Sequence, residues 1–496
     1  MTECSNTIKD NNKFDAITTE ATQNKELFTN NNKQLNAVKN FYEHVRPSTT
    51  WAGRQYRQIL ARYYQKLIPV NSKILEIGCG DGELLTHLKH CDITGVDLSP
   101  HQIYLAKLKN PNGIFEVQSG EFLQLDKTFD YIILSETINQ ASDVQRLFER
   151  LHSVSHSRTR LMLNFYNTAW RPLLGLATIL GFKAQQPLSN WLSSDDVQNL
   201  LRLSGWELVK EQKRVLIPIK LLGIEHFVNR FISPLLPWFC LTTFQIARPQ
   251  GVPKKSLPSI SVVIPARNEA GNIEAAIRRM PKLGSHTEII FIEGHSKDNT
   301  WEVIQRVAKE EANNWDIVTL QQSKKGKGNA VREAFEVAKG DILIILDGDL
   351  TMPPEELTKF YDVLASGKAE FCNGVRLVYP MEKQAMRFLN LCANKFFGIV
   401  FTWALDQPIK DTLCGTKALF KQDYKRIAEN RHYFGDFDPF GDFDLLFGAD
   451  HLLLKIADIP IRYRDRMYGT TNISRWRHGA LLLRMLLVAI RKLKLG

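Results

Sequence analysis

Two acids one residue apart, Asp347 and Asp349, close the apolar run DILIIL. Carboxylates at i and i+2 on a strand end can converge on one hard divalent cation, which takes oxygen ligands. A different chemistry is offered by Glu76-Ile77-Gly78-Cys79-Gly80-Asp81-Gly82, where an apolar run passes into a helical pattern. Alternating glycines permit a tight turn with positive φ and bring backbone amides close to a ligand at a helix start. Asp97 ends the next apolar run, in GVDLS, where a carboxylate can accept both hydroxyls of a ribose. Glu121 is a further acid that could take the amino group of an adenine.

Around the paired acids lie three more polar segments. Pro265, Arg267, Asn268 and Glu269 end the run ISVVIPARNE, a cluster suited to a base and a ribose, and Glu293, Ser296 and Asp298 follow the run EIIFIEGHS. In KKGKGNAVREAF, Lys325 and Lys327 flank Gly326 ahead of a helix, and lysines beside glycine-exposed amides fit a diphosphate. No general base announces itself near the glycine turn. Tyr166, Asn164, Asn139 and His101 fall near predicted strand ends or loops and read as structural or solvating.

These residues need strands to hold them. KILEIGCG, DITGVDLS, FDYIILSE and RLMLNFYN in the first half, and ISVVIPARNE, EIIFIEGHS, IVTLQQ and DILIILDGD in the second, are short apolar runs between helical patterns, as buried parallel strands read. Both halves therefore predict open α/β sheets with ligands at the carboxyl ends of the strands. The 496 residues divide at a stretch holding Pro249, Pro253 and Pro258. The expected organisation is a disordered leader 1–36, a domain 37–248, a linker 249–258, a domain 259–474 and a basic amphipathic helix 475–496.

That last segment carries six Lys/Arg and no acid, with Arg477, Arg484 and Arg491 on one stripe. It suits an anionic membrane surface as well as it suits packing on the preceding domain. Phe231 to Phe244 is a second apolar stretch, expected as a packed insertion rather than a lipid contact. The chain carries 64 Lys+Arg against 53 Asp+Glu, but the strongest basic run has no aromatic-basic platform, so nucleic acid is not expected. Seven scattered cysteines without metal-binding spacing predict a reducing, cytoplasmic setting; the membrane reading of the C-terminal helix would add peripheral contact at the inner face of a membrane, and the packing reading would not.

The acid, the GxGxG turn, Asp97 and Glu121 together resemble the class I S-adenosylmethionine-dependent methyltransferases over roughly Asn36 to Pro249. The third glycine comes one residue earlier than in the dinucleotide fingerprint GxGxxG, which separates this domain from that rival. The resemblance implies a Rossmann-like sheet in which Glu76, Gly78, Gly80 and Gly82 lie beside the methionine moiety, Asp97 holds the ribose and Glu121 sits by the adenine.

The second half resembles the family 2 glycosyltransferases of GT-A fold, in particular the polyprenol-phosphate (dolichol-phosphate) mannosyl- and glucosyltransferases, over about Ser259 to Ser474. DLTMPPEEL, DTLCGTKALF and RDRMYGTTNIS extend the match, while Glu293-Gly294-His295-Ser296 stands where DDGS is usual and Thr351 where several relatives have Gln. By this resemblance Asp347 and Asp349 hold magnesium or manganese with a GDP- or UDP-linked sugar, and Arg376, Arg387 and Arg466 grip the acceptor phosphate and the diphosphate. Transfer is then inverting, onto an acceptor phosphate that is already ionised and requires no base. The chain is thus expected to be a bifunctional transferase of glycan or glycolipid biosynthesis. The alternatives are a glycosyltransferase with a catalytically inactive S-adenosylmethionine-binding module, or one with a non-lipid acceptor.

Overall fold

A computed structural model describes residues 33–43, 51–181, 189–379, 388–431, 441–469 and 475–495. Residues 1–32 of the expected leader and Arg387 lie outside the described residues, while 33–36 belong to a helix over 33–43, so the chain is already helical before the expected domain boundary. Two compact units divide between Pro249 and Gln250, so Arg248 and Pro249 belong to the last strand of the first unit.

That unit is built on seven strands, β1 (Lys73–Ile77), β2 (Asp92–Asp97), β3 (Ile114–Val117), β4 (Phe129–Ser135), β5 (Ser155–Tyr166), β6 (Trp206–Arg214) and β7 (Thr242–Pro249), in the order β3-β2-β1-β4-β5-β7-β6. β1 to β5 pair in parallel, and β7 enters antiparallel between β5 and β6. A doubly wound dinucleotide sheet has a parallel sixth strand at that place. The central strands are buried along most of their length because helices cover both faces, which is why they read as apolar runs. β1 and β2 stop on Ile77 and Asp97, and β4 on Ser135, so the loops that follow converge on one end of the sheet.

The second unit has β8 (Ile260–Ala266), β9 (Thr287–Glu293), β10 (Asp316–Gln321), β11 (Ile342–Ile345), β12 (Phe371–Val375), β13 (Lys417–Phe420) and β14 (Ile456–Pro460), in the order β10-β9-β8-β11-β13-β12-β14. β8 to β11 are parallel, whereas β13 runs antiparallel between β11 and β12. Ile345 is in register with Val263, which sets the end of β11 beside the end of β8.

Two apolar segments differ in their fates. In the C-terminal helix Arg475–Ala489, Leu482, Met485, Leu486 and Ala489 are buried in the core with Phe397 and Phe401 of the helix Phe388–Leu405. That face packs on its own unit, leaving Leu483, Arg484, Leu487 and Arg491 outward. Among the described residues no helix is long and apolar enough to cross a membrane. The stretch from Phe231 is only partly the expected insertion. Ser233, Cys240 and Leu241 are buried, but Leu235, Trp238 and Phe239 are exposed. Pro234 and Pro237 break this segment into short 3-10 turns, so its side chains cannot all reach the core.

Candidate active sites

In the first unit a cavity of about 580 Å³ opens at the carboxyl ends of β1, β2 and β4, a volume suited to a small-molecule ligand. Glu76, Gly78, Gly80 and Asp97 line it, together with Gln118, Glu136, Tyr56 and Tyr166. Asp97 accepts from the amides of Gly80 (2.9 Å) and Ser99 (2.9 Å), and Ser99 caps the next helix through Gln102. Burial raises the Asp97 carboxyl, against the pull of these amides. Burial also pushes Glu76 well above the carboxylate range, opposed by Arg57, and one of its oxygens is buried without a hydrogen-bond partner. Positive φ at Gly78 and Gly80 turns the loop across the pocket floor.

Two expected residues fall elsewhere. Glu121 is not part of the pocket wall; its carboxylate accepts from the Ser142 amide (2.7 Å), the Ser142 hydroxyl (2.5 Å) and the Asp143 amide (3.2 Å), pinning a loop. Gln118 and Gly120 line the wall on that side instead. Gly82 serves packing, since a Cβ there would meet Asn110 Nδ2 at 2.7 Å and Ala106 at 3.1 Å. Of the four residues near predicted strand ends, Tyr166 and Asn139 line the pocket, Asn164 accepts from Tyr64 (2.7 Å) and His101 is exposed.

In the second unit Asp347 and Asp349 follow β11, each against a cation. Lys327 Nζ lies 2.6 Å from Asp347, and Arg466 lies 2.6 Å from Asp349 and 3.0 Å from Glu269. Burial works to raise the Asp347 carboxyl, yet the Lys327 pairing, with Arg376 and Lys417 beyond it, holds it below the ordinary range. Gly415 makes the pairing possible, because a Cβ there would collide with both Lys327 Nζ and the Asp347 carboxylate. Thr351 donates to Asp349 (2.8 Å), so it orients this carboxylate.

The loops after β8 and β9 interlock. Ser296 Oγ accepts from the Asn268 amide (3.0 Å), Asn268 accepts from the Lys297 amide (2.8 Å), and Glu293 accepts from the Ser296 amide. Asp298 receives Thr300, and Tyr468 lies 3.5 Å from it. Pro265 is the next-to-last residue of β8, Arg267 is exposed in the loop after it, and Lys325 is exposed beside Lys327.

Arg376 differs from its expected role. Its guanidinium makes a bidentate bond to Asp411 (2.7 and 2.9 Å), with side-chain exposures of 12% and 0%, so its fork is committed within the protein. A phosphate meeting it would compete with a buried carboxylate.

A family model described as a methyltransferase domain matches residues 43–211, and one described as glycosyl transferase family 2 matches 261–427. The chain joins a methyltransferase domain to a family 2 glycosyltransferase domain. Glycosyltransferase AglD of Haloferax volcanii is 27% identical over 226 residues, 43% of this chain and 34% of that protein. A dolichol-phosphate mannosyltransferase of Pyrococcus furiosus is 30% identical over 225 residues, 43% of this chain and 59% of that protein. The chain therefore spans between about a third and three-fifths of the length of these curated relatives. Among solved structures, an S-adenosylmethionine-dependent methyltransferase from Thermotoga maritima matches with a TM-score of 0.32 at 17% identity, over 40% of this chain and 91% of that one. Glucosyl-3-phosphoglycerate synthase from Mycobacterium tuberculosis matches with a TM-score of 0.35 at 18% identity, over 48% of this chain and 80% of that one.

The methyltransferase site contains a residue that motif reading passed over. Glu136 follows β4 with φ 61°, lines the pocket, and has one buried oxygen without a partner. Burial, then the Glu136 charge, pushes the phenols of Tyr56 and Tyr166 well above their usual range, so both stay protonated. The available signal was an acid at the end of FDYIILSE. In the glycosyltransferase site the unforeseen partners are Asp411 and the fully buried Lys417, whose ammonium donates to the Cys414 carbonyl.

Two outcomes follow. Arg376→Met leaves the buried Asp411 charge uncompensated and lowers unfolding stability by about 3–5 kcal/mol; urea unfolding measures it, and a change below about 0.5 kcal/mol would contradict the buried pair. Burial raises the Glu269 carboxyl to about 7, against Arg466 and Asn272 and with the Asp349 charge adding to the rise. The folded chain then holds a proton that the unfolded chain has lost, so this group's contribution falls as pH rises from about 4.5 to about 7. Across that window the Tm of Glu269→Gln gains on wild type; a pH-independent difference contradicts the shift.

Proposed function

We propose that the chain is a bifunctional transferase, with residues 37–248 methylating an acceptor from S-adenosylmethionine and residues 259–474 transferring a sugar from a nucleotide donor to a polyprenyl phosphate. What carries the glycosyl reading is the carboxylate pair at the end of β11 with a counter-cation on each member, Lys327 and Arg466. The donor set is two hard carboxylates, and among the described residues no third His, Cys, Asp or Glu joins them as a cluster. That suits magnesium or manganese, whose remaining positions are commonly filled by substrate phosphate and water. Such an ion supplies charge neutralisation for the leaving diphosphate.

The chain's own residues supply the rest. Asp347 and Asp349 would hold the ion, and Lys327 and Arg466, which stand against them, would be the cations nearest the diphosphate oxygens. Arg466 is the suited partner for a phosphate because its planar fork bonds in pairs. Glu293, Ser296, Asn268 and Asp298 frame the base and ribose, and Arg376 keeps Asp411 and the CGTK turn in place behind Asp347. A phosphate acceptor is supported by the named function of the dolichol-phosphate relative and by an undecaprenyl-phosphate transferase of Pseudomonas aeruginosa, 30% identical over 151 residues. The nucleotide is a GDP or UDP.

In the methyltransferase unit the buried Glu76 oxygen that lacks a partner and the open side of Gly80 fit the methionine portion of the cofactor, and Asp97 fits the ribose. S-adenosylmethionine supplies an electrophilic methyl group. Glu136 takes the acceptor's proton, with Tyr56 and Tyr166 donating beside it. Cys79, Cys91, Cys240, Cys372 and Cys414 form no disulfide, which supports a reducing compartment.

Asp347→Ala with Asp349→Ala removes metal-dependent sugar transfer from GDP- or UDP-sugars to polyprenyl phosphate, followed by mass spectrometry of the lipid product; unchanged turnover sinks the reading. Gly80→Arg removes S-adenosylmethionine binding in calorimetry. Glu136→Gln keeps that affinity and lowers kcat by about 10²–10⁴; an unchanged kcat would release Glu136 from the role of base.

A further inference from the structure

The mouth of the methyltransferase pocket is framed by two segments that are apolar on both sides. From 167–181 and 216–241, Trp170, Leu174, Ala177, Pro218, Ile219 and Leu241 face the cavity. On the outer surface of the same segments Ile179, Leu222, Phe227, Leu235, Trp238 and Phe239 are each more than half exposed. The segments are stitched together: Trp170 Nε1 donates to the Phe239 carbonyl (2.9 Å), and Asn167 donates to the carbonyls of Trp238 (3.2 Å) and Cys240 (3.0 Å). They form one continuous apolar rim. Soluble surfaces seldom concentrate so many large side chains, and such patches mark a protein or membrane contact.

The charge around the rim selects between these. Residues 167–181 contain no acid and 216–241 only Glu225, whose carboxylate is spent accepting from the Leu221 (2.7 Å) and Gly223 (3.0 Å) amides. Arg62 and Lys66 of the helix Trp51–Leu67, Arg214 of β6 and Arg230 beside Phe231 lie close enough to one another that, after burial, the three arginines depress the Lys66 ammonium. Clustered cations beside exposed Trp, Phe and Leu are the composition of an element that lies in an anionic lipid interface, aromatic side chains at headgroup depth and cations on the phosphates.

We propose that the methyltransferase unit docks on an anionic lipid bilayer through residues 171–180 and 221–239, and that its methyl acceptor is an amphiphile whose reactive end enters the pocket from that bilayer. This rests on the methyltransferase reading of the cavity. A cavity of about 580 Å³ that also seats a nucleoside cofactor has room for the reactive end of an acceptor and not for a long chain, and the apolar rim gives the chain a place outside it. The acceptor's oxygen or nitrogen bonds to the methyl carbon as that carbon's bond to sulfur breaks. A neutral thioether remains, and the acceptor's proton passes to the Glu136 carboxylate.

The test is hydrogen–deuterium exchange on the full chain with and without equimolar phosphatidylglycerol–phosphatidylcholine vesicles, alongside flotation. The expected result is protection of peptides covering 171–180 and 221–239, with flotation weakened by at least about tenfold in the triple variant Phe227→Ser, Leu235→Ser, Trp238→Ser. Unprotected segments overturn the proposal even where the chain floats, since contact then runs through other residues. Calorimetry with S-adenosylmethionine reports separately on the variant's fold and on the underlying reading. A variant that keeps wild-type cofactor affinity and loses vesicles isolates docking. Wild-type protein that protects these segments on vesicles but binds no S-adenosylmethionine overturns the acceptor claim and the methyltransferase reading while docking stands.

Discussion

Charge compensation at the end of β11 governs the second unit. Two carboxylates placed one residue apart repel each other, and a low-dielectric surround strengthens that repulsion. Asp347 and Asp349 coexist because Lys327 and Arg466 come from distant parts of the chain to meet them. Those contacts in turn fix much else. Lys327 opens its helix under the apex of the Gly415 turn, where no side chain fits, and Arg466 ties the segment after β14 to Glu269 and so to the end of β8. Arg376 and Asp411 carry the same balance one layer deeper. The result is an arrangement of alternating charge in which each anion is faced by a cation.

The parallel strands at the centre of both sheets were legible because burial on two faces demands continuous apolar runs. LEIGCG, ISVVIPA and DILIIL could hardly be anything else. The antiparallel strands were not. β6, WELVKEQKR, is mostly polar, and β13, KALF, is only four residues long; each becomes a strand because neighbouring strands offer it edges to pair with, which is a tertiary fact. Site residues divide the same way. Strand-end acids such as Asp97 and Asp347 follow from their position after an apolar run, whereas the direction of a loop side chain does not, and so Glu121 turned out to pin Ser142 rather than face the cavity. Arg376 illustrates the converse difficulty: a lone arginine after a strand reads as a phosphate ligand until Asp411, 35 residues later, is seen beneath it.

Glu136 was passed over for a related reason. Its oxygen is notable only when burial and the absence of a partner are known together, and the two phenols that mark its surroundings come from the helix Trp51–Leu67 and from the end of β5. The exposed aromatic rim is likewise a property of how Pro234 and Pro237 interrupt the segment, since the hydropathy of that stretch alone is equally that of a core insertion. Both units thus combine a strand-end polar site that sequence reveals with surroundings that only the fold assembles.

The central claim is that Asp347 and Asp349 exchange organic cations for a divalent ion brought with a nucleoside diphosphate. Manganese titration followed by electron paramagnetic resonance, with and without GDP or UDP, addresses it directly. The account predicts weak binding of manganese alone, because Lys327 and Arg466 already neutralise the carboxylates, and tight one-to-one binding once the diphosphate is present. Manganese affinity unaffected by either nucleotide would contradict it.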